Sequence, residues 1–376
     1  MRRCEVLVIG GGPAGAAAAI LLARAGRSVV VLEKAAFPRR KVCGEFISAA
    51  GLERLRELGV AERFDAAAGP EIRRIAVWVG DRAFHAPMPR WRAAAPYPRT
   101  LEREALDALL LGHAAQCGAH VLQPAIALGL RRCGATLVCE AAARRGGASF
   151  EIQARAVIAA HGSWEPGALF TQPPHLRPAP GDLLAFQAHL HGGGLPPHAI
   201  VLAPFAGGYA GLVERGGGCV TYACCIRRDA LERARIRGVP AGESLFNAGA
   251  FGMTREGPWL AAGPLRPGKR PLYRNGVFAI GNAAGEAHPV VGEGIASALH
   301  SAALLCGPLA AALAAGYSRA AEQAVAHAYA WRWRRDIAFR LWISARLAGL
   351  AMQPSSFKGR ILGCVPTMLT LAARMK

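Results

Sequence analysis

"CEVLVIGGGPAGAAAAILLARAGRSVVVLEK", residues 4–34, reads as a complete βαβ unit. "CEVLVIG" is a short apolar run suited to a buried parallel strand. "GGPAG" makes a tight turn, and "AAAAILLARAG" is a helix of small and aliphatic residues stopped by Gly26. "SVVVLEK" is a second buried strand. Gly10, Gly12 and Gly15 follow the G-x-G-x-x-G spacing, with Pro13 and Ala14 completing the turn. The glycines let the backbone approach a pyrophosphate, and the helix N-terminus stabilises that anion. Glu33, followed by Lys34, ends the second strand where an acid takes ribose hydroxyls. The same acid repels a 2′-phosphate, which disfavours NADP at this position. The unit therefore points to an α/β protein that binds a dinucleotide.

Beyond this unit, residues 51 to 64 read as one helix, and 71 to 88 alternate and turn like a hairpin. An amphipathic helix is expected from about Leu101 to Cys117. Residues 125 to 160 read as a strand meander ending in the buried run "RAVIAA". Residues 171 to 268 are rich in Pro and Gly and carry strand-like runs such as "LLAFQAHL" and "CVTYACCI". "GVFAIGNAAG" is another buried strand closed by a glycine turn, and long helices follow to about residue 350. No internal repeat or low-complexity tail is legible.

The chain has 376 residues, 52% hydrophobic and 19% charged, which fits a well-buried globular enzyme of two domains. Its net charge is +20, and lysine contributes only Lys34, Lys41, Lys269, Lys358 and Lys376. Attraction to a membrane surface, an acidic carrier protein or nucleic acid is one explanation. The joint abundance of Arg, Ala, Gly and Pro favours the other, the bias of GC-rich coding. No RRM or zinc-finger pattern is present, so no nucleic-acid partner is expected. None of the ten cysteines forms a C-x-x-C or pairs with histidines at zinc spacing, so no metal is expected. The N-terminus runs straight into a strand, with no secretory pattern, so a cytoplasmic setting with free thiols is expected. Residues 295–316 form an uncharged stretch almost long enough to span a membrane. Its Ala/Gly content, His300 and Pro308 favour a buried core helix.

A second stretch bears on the cofactor. "VFAIGNAAGEAHPVVGEGI", residues 277–295, resembles the second FAD motif of the glutathione-reductase-like flavoproteins. "REALD", residues 103–107, resembles the R-x-x-L/F-D of the same superfamily. With the first unit these motifs occur in the family's order, and the chain resembles the geranylgeranyl-reductase and aromatic-hydroxylase (p-hydroxybenzoate hydroxylase-like) branch. The resemblance implies a glutathione-reductase-like, Rossmann-type FAD-binding domain from residues 1–70, 99–170 and 270–330. It implies an inserted, mostly antiparallel β substrate domain from 71–98 and 171–269, and a C-terminal helical region over 331–376. FAD is the implied cofactor, with NADPH or NADH as a transient electron donor. Gly281 and Asn282 would bind the ribityl chain, with Asn in place of the family's Asp. Gly292, Gly294 and Ile295 would open a helix aimed at the pyrimidine ring and pyrophosphate. Arg103 either lies by the cofactor or is a solvated helix residue.

"KVCGEFIS", residues 41–48, resembles the Lys-x-Cys-Gly segment of geranylgeranyl reductases. By that resemblance Lys41, Val42, Cys43, Gly44 and Glu45 line the flavin pocket. Lys41 would stabilise negative charge on reduced flavin, and Cys43 is either a proton donor or a packing residue. Glu45, Tyr209 and His288 join them as candidate catalytic groups, although a core tyrosine and a structural histidine are equal alternatives. The chain departs from the family in two places. His161-Gly162 replaces the Asp-Gly of aromatic hydroxylases, and the Trp-x-Trp-x-Ile-Pro of halogenases is missing. Two reactions of an apolar small-molecule substrate stay open. The first is hydroxylation of an aromatic or polyketide-derived compound, and the alternative is reduction or dehydrogenation of carbon–carbon bonds in a prenyl or polyene lipid. Halogenation and non-catalytic FAD binding rank below both. Arg332, Arg335, Phe339, Trp342 and Arg346 share a helix face suited to acidic lipid or a carrier protein, or simply to arginines lying over the protein's own surface. The tail "RILGCVPTMLTLAARMK" is expected to cover an entrance for a greasy substrate.

Overall fold

The computed structural model describes residues 2–352 apart from 80–81, 91, 144–145, 163–166, 168, 173–176 and 237–251. The expectation for residues 360–376 lies outside the described residues. Two large sheets organise the rest. In the first, Arg2–Ile9 runs parallel to Val29–Leu32 on one side and to Ser149–Ala159 on the other. Val277–Ala279 and His120–Leu122 extend it in parallel. The meander Ile126–Cys133, Thr136–Ala142 and Ser149–Ala159 adds an antiparallel flap. The central strands read as unbroken apolar runs because both faces are covered: Val6, Leu7, Val8, Val31, Val157 and Ile158 are all fully buried.

The second sheet has the order Met253–Leu265, Leu183–Gly192, Cys219–Arg227, Gly208–Gly216, Ala199–Phe205, Arg74–Val79 and Arg82–Pro87. All its pairs are antiparallel except Ala199–Phe205 with Arg74–Val79. Ala188, Leu190, Val201, Leu212 and Tyr222 fill its own core. The architecture is a mixed α/β fold with a Rossmann-type unit, a largely antiparallel second sheet and helices at the C-terminal end.

Among the described residues, eight α-helices accompany the sheets: α1 Pro13–Arg24, α2 Ala49–Glu57, α3 Ala61–Ala67, α4 Arg103–Gln116, α5 Arg228–Ile236, α6 Gly294–Ala314, α7 Arg319–Trp333 and α8 Phe339–Ala351. The single helix expected over 51–64 is two, α2 and α3. Gly59, at φ +74°, takes the left-handed conformation that ends α2. Ser48 caps α2 by accepting from the Gly51 N–H. α1 packs against both α4 and α6, and its alanines let the backbones come close. α6 is long and apolar enough to cross a membrane. Its Leu299, Ala302, Leu305 and Leu309 instead sit fully buried in the largest core cluster. α7 and α8 are joined by a π-helical turn, Arg334–Ala338, so the last helical segment is continuous from Arg319 to Ala351.

Candidate functional site

A cavity of about 1220 Å³ opens where the two sheets meet. That exceeds the roughly 300–1,000 Å³ of ordinary small-ligand pockets, and it lies at the C-terminal ends of the parallel strands, as α/β sites do. Its walls include Gly10, Gly12, Pro13, Ala14, Glu33, Lys34, Lys41–Glu45, Arg103, Gly281, Asn282, His288, Gly292, Gly294 and Ile295. Segments far apart in the chain therefore converge, and most of the residues singled out from the sequence line one space.

The first turn is built by close backbone approach. Gly10 has φ +110°, and a Cβ there would strike the Ala160 carbonyl. A Cβ on Gly15 would collide with the Gly10 carbonyl oxygen, so Gly15 serves helix–strand packing and does not line the cavity. Gly12 is different: a Cβ there would meet nothing within 4 Å. The same holds for Gly44 and Gly294, leaving open cavity space above three glycines. α1 and α6 both begin at this space, and neither has a side-chain cap. Their unpaired N–H groups are available to an anion. The second glycine turn is locked against the first. Gly281 donates its N–H to Ser301 Oγ at 2.8 Å, and a Cβ on it would press on Ala14.

Glu33 is 3% exposed and accepts from the backbone N–H groups of Gly11, at 2.7 Å, and Ala35, at 2.9 Å. A carboxylate has about four lone-pair sites, so it retains capacity for hydroxyl donors. Asn282 donates to Glu286 at 3.2 Å, and Arg270 binds both the Asn282 carbonyl and Glu286.

Arg103 is not a solvated helix residue. It is 8% exposed and holds Asp107 in a two-pronged ion pair at 2.9 and 2.7 Å. Beside it lies Cys43, whose thiol is pushed up by burial while the Arg103 guanidinium pulls the other way. The Cys43 N–H donates to Gln187 Oε1 at 3.0 Å, and Sγ accepts from the Glu45 N–H at 3.3 Å. The "KVCGEFIS" segment is thus pinned against the second sheet.

Glu45, a candidate catalytic group from the sequence, lines the cavity with its carboxylate held by several partners. Oε1 accepts from Gln187 at 2.9 Å, Oε2 accepts from Thr221 at 2.6 Å, and His189 Nε2 lies 3.3 Å away. Burial raises its pKa and the bonds to His189 and Thr221 lower it, for a net lowering. Glu45 also adopts φ +57°, a left-handed conformation unusual for a residue with a side chain. It ties the segment to Leu183–Gly192 and Cys219–Arg227.

His288 and Tyr209 come together. The Tyr209 hydroxyl lies 3.0 Å from His288 Nδ1, while Nε2 is buried and meets no partner among the described residues. Burial lowers the His288 pKa to about 4 and raises that of Tyr209 well above its ordinary value. The ring is therefore neutral and the phenol keeps its proton. Tyr209 lies behind His288 and does not itself line the cavity. The His288 N–H donates to Ser344 Oγ on α8 at 3.0 Å.

Sequence reading missed several wall residues. Arg39, Arg40, Gln172 and Leu260–Leu265 are visible only in the fold, whereas His161, noted in the sequence beside Gly162, also lines the cavity. His161 is lowered to about 4 by burial, with Arg270, Lys41 and Lys34 adding positive charge around it. Its place right after a buried parallel strand, at the strand's C-terminal end, was a usable signal.

Comparison with known proteins now decides the cofactor. Residues 3–167 match the family model described as an FAD binding domain. The chain is an FAD-binding flavoprotein. The glycine-lined cavity with two uncapped helix ends fits that dinucleotide. The flavoprotein is 49% identical over 63 residues to the menaquinone reductase of Mycolicibacterium smegmatis, covering 17% of this chain and 15% of that one. It is 32% identical over 165 residues to digeranylgeranylglycerophospholipid reductase 1 of Methanothermobacter thermautotrophicus, 42% of this chain and 38% of that one. The matched stretches thus span well under half of these curated relatives. Among solved structures, a geranylgeranyl bacteriochlorophyll reductase-like protein of Thermoplasma acidophilum superposes with a TM-score of 0.77 at 20% identity, covering 99% of this chain and 96% of that one. A myxobacterial chondrochloren halogenase superposes with a TM-score of 0.75 at 20% identity, covering 100% and 91%. Those two likenesses establish the fold alone.

Proposed function

We propose that the flavoprotein reduces a carbon–carbon double bond of an apolar, prenyl- or quinone-like lipid. The observation that carries this reading is the Cys43 thiol, held protonated by burial at the cavity wall beside the Arg103 guanidinium. The relatives named as menaquinone and digeranylgeranylglycerophospholipid reductases support it.

In this reading the cofactor lies along Gly10, Gly12, Pro13, Ala14, Glu33, Lys34, Gly281, Asn282, Gly292, Gly294 and Ile295. Reduced FAD, when bound, supplies the hydride, and NADPH or NADH recharges it. Cys43 Sγ holds the proton required by the second carbon. Once the proton has left, Arg103 stabilises the thiolate by direct Coulomb attraction, and the thiol refills from solvent. Lys41, beside His161 and Gly162, adds positive charge where the reduced cofactor carries negative charge. His288 Nε2, with Nδ1 engaged by Tyr209, offers one polar contact to a substrate oxygen. Val42, Val290, Leu183, Ala185 and Leu265 form an apolar cluster beside the cavity that suits a greasy chain.

The test is product mass. Holoenzyme with NADPH or NADH and a polyprenyl quinone, under nitrogen and then under air, should yield a product gaining two hydrogens in both. A product gaining an oxygen atom only in air would overturn the reading in favour of hydroxylation. Cys43→Ala should keep FAD and lose at least about tenfold in turnover, the low end of the roughly 10²–10⁴ attributed to general acids being reduced by substitution with water.

A further inference from the structure

Among the described residues, the large hydrophobic side chains left exposed are Leu128, Trp331, Phe339 and Trp342. Three of these four fall within one stretch of twelve residues, so they are a patch and not scatter. Trp331, Arg335, Phe339, Trp342 and Arg346 step by four, four, three and four along the continuous α7–α8 segment, which puts them on one face. Side chains along it pair in two groups, Trp331 with Arg335 and Phe339 with Trp342 and Arg346. The Arg335 guanidinium lies 4.8 Å over the Trp331 ring, Phe339 stacks on Trp342 at 6.0 Å and 23°, and Arg346 lies 5.0 Å over Trp342.

The opposite side of the same segment is already packed. Trp333, Ile337, Leu341, Ser344 and Ala348 are buried. The outward aromatics are therefore surplus to the fold, with Trp331 60% and Trp342 53% exposed. Charge narrows the choice of partner. Residues 331–346 hold five arginines and a single acid, Asp336, which Arg335 occupies at 2.5 Å. The sequence that follows, residues 353–376, contains Lys358, Arg360, Arg374 and Lys376 and no acid, a composition that adds to attraction toward an anionic surface.

We propose that the outward face of α7–α8 docks on the headgroup region of an anionic lipid bilayer. Indole rings favour that interface because one end is apolar and the other hydrogen-bonds. Each arginine near an anionic surface adds about 1 kcal/mol. The docked segment is also the one whose inner side holds the cavity loop, through the bond from His288 N–H to Ser344. Docking would thus place the cavity next to the membrane, although the binding itself does not depend on which reaction the site performs.

The experiment is co-sedimentation of full-length holoenzyme with vesicles of phosphatidylcholine plus phosphatidylglycerol, and with phosphatidylcholine alone. Binding is expected to the anionic vesicles, to weaken with added salt, and to be far weaker on neutral ones. Arg332→Gln with Arg346→Gln should weaken it roughly thirtyfold, two charges at about 1 kcal/mol each. Trp331→Ser with Trp342→Ser should weaken it at least as much, with flavin absorbance showing that the variants stay folded. Equal binding to both vesicle types, binding indifferent to the tryptophan pair, or no binding would each overturn the proposal. So would a dimer in solution that the tryptophan pair dissolves, since the face would then belong to a second copy of the chain. Turnover on a soluble short-chain quinone, measured alongside, separates failure of docking from failure of the proposed reaction.

Discussion

The cavity has two unlike ends. At one, Gly10, Gly12, Gly281 and Gly294 present backbone: a Cβ on Gly10 or Gly281 would strike a neighbour, and one on Gly12 or Gly294 would enter the open space. At the other, Lys41, Cys43, Glu45, Arg103 and His288 present side chains, several of them held by partners from the second sheet and α8, with Tyr209 behind His288. Where a Cβ would strike fixed backbone, as at Gly10, substitution breaks the turn itself, whereas at Gly12 it would fill only the open space. A side chain can be replaced without moving the backbone, so the two ends answer to different tests.

The largest expected effect belongs to the backbone end. Gly15→Ala places a methyl group against the Gly10 carbonyl, where both are fixed by the strand and α1. A steric clash in a closed core costs about 4 kcal/mol or more when the backbone cannot move. The purified variant should carry no flavin absorbance and melt well below the parent. If it keeps FAD at full occupancy, the turn is looser than the contrast between the ends requires. Gly12→Ala is the sharper companion, because its methyl meets open space and should disturb the cofactor while leaving the apo fold intact.

Glu45→Ala comes next. It removes the acceptor for Gln187 and Thr221 and the neighbour of His189, all deep between the sheets. Unpaired buried polar groups cost about 1–3 kcal/mol each, so a loss of about 3 kcal/mol in a denaturant titration is expected. A loss of turnover with unchanged stability would restore Glu45 to the chemistry and blur the division between anchor and catalyst.

The legibility of the sequence follows the same division. The first glycine turn and its βαβ frame could be read because spacing, strand, helix and acid all lie within 31 residues, 4–34. The second motif, and FAD with it, was legible only through its resemblance to the glutathione-reductase-like flavoproteins. The meander and the two strand-like runs in 171–268 appear as strands because their burial alternates or is complete, as in Leu183–Gly192. What could not be read was pairing at long range. Glu45 meets Thr221 across 176 positions and Tyr209 meets His288 across 79, and no local pattern encodes either. Arg103 stayed open between a place by the cofactor and a solvated helix face, since a helix periodicity does not reveal which neighbour will cover it. The break at Gly59 was present as a glycine but lost in an otherwise helical run.

A third expectation concerns acid. His288 and His161 are both lowered to about 4, chiefly by burial. The unfolded chain protonates both near 6.5. Below that value the unfolded state binds more protons, so stability falls as pH drops from about 6.5 toward 4 and is level above. Thermal melts of the apo protein across that window should decline steadily. His288→Gln should make the decline shallower by its share, and His161→Gln by another. A flat profile would mean the rings are open to solvent, and the side-chain end would be less enclosed than its bonds imply.

The smallest effect tests the finest feature, the bond between Tyr209 and His288. Tyr209→Phe keeps the ring and removes only the hydroxyl at 3.0 Å from Nδ1. A neutral hydrogen bond contributes about 1 kcal/mol, so the melting temperature should move by only a few degrees. Its functional consequence is more specific. Where the protonated phenol donates to Nδ1, the imidazole proton sits on Nε2, which meets no partner among the described residues. Removing the hydroxyl frees the ring to place its proton on either nitrogen, and a substrate oxygen would lose a directed donor. KM for a quinone-like substrate should rise several-fold while turnover at saturation stays close to the parent. An equal rise for a hydrocarbon chain without oxygen would show that Tyr209 merely packs, because such a substrate has no acceptor for Nε2 to address.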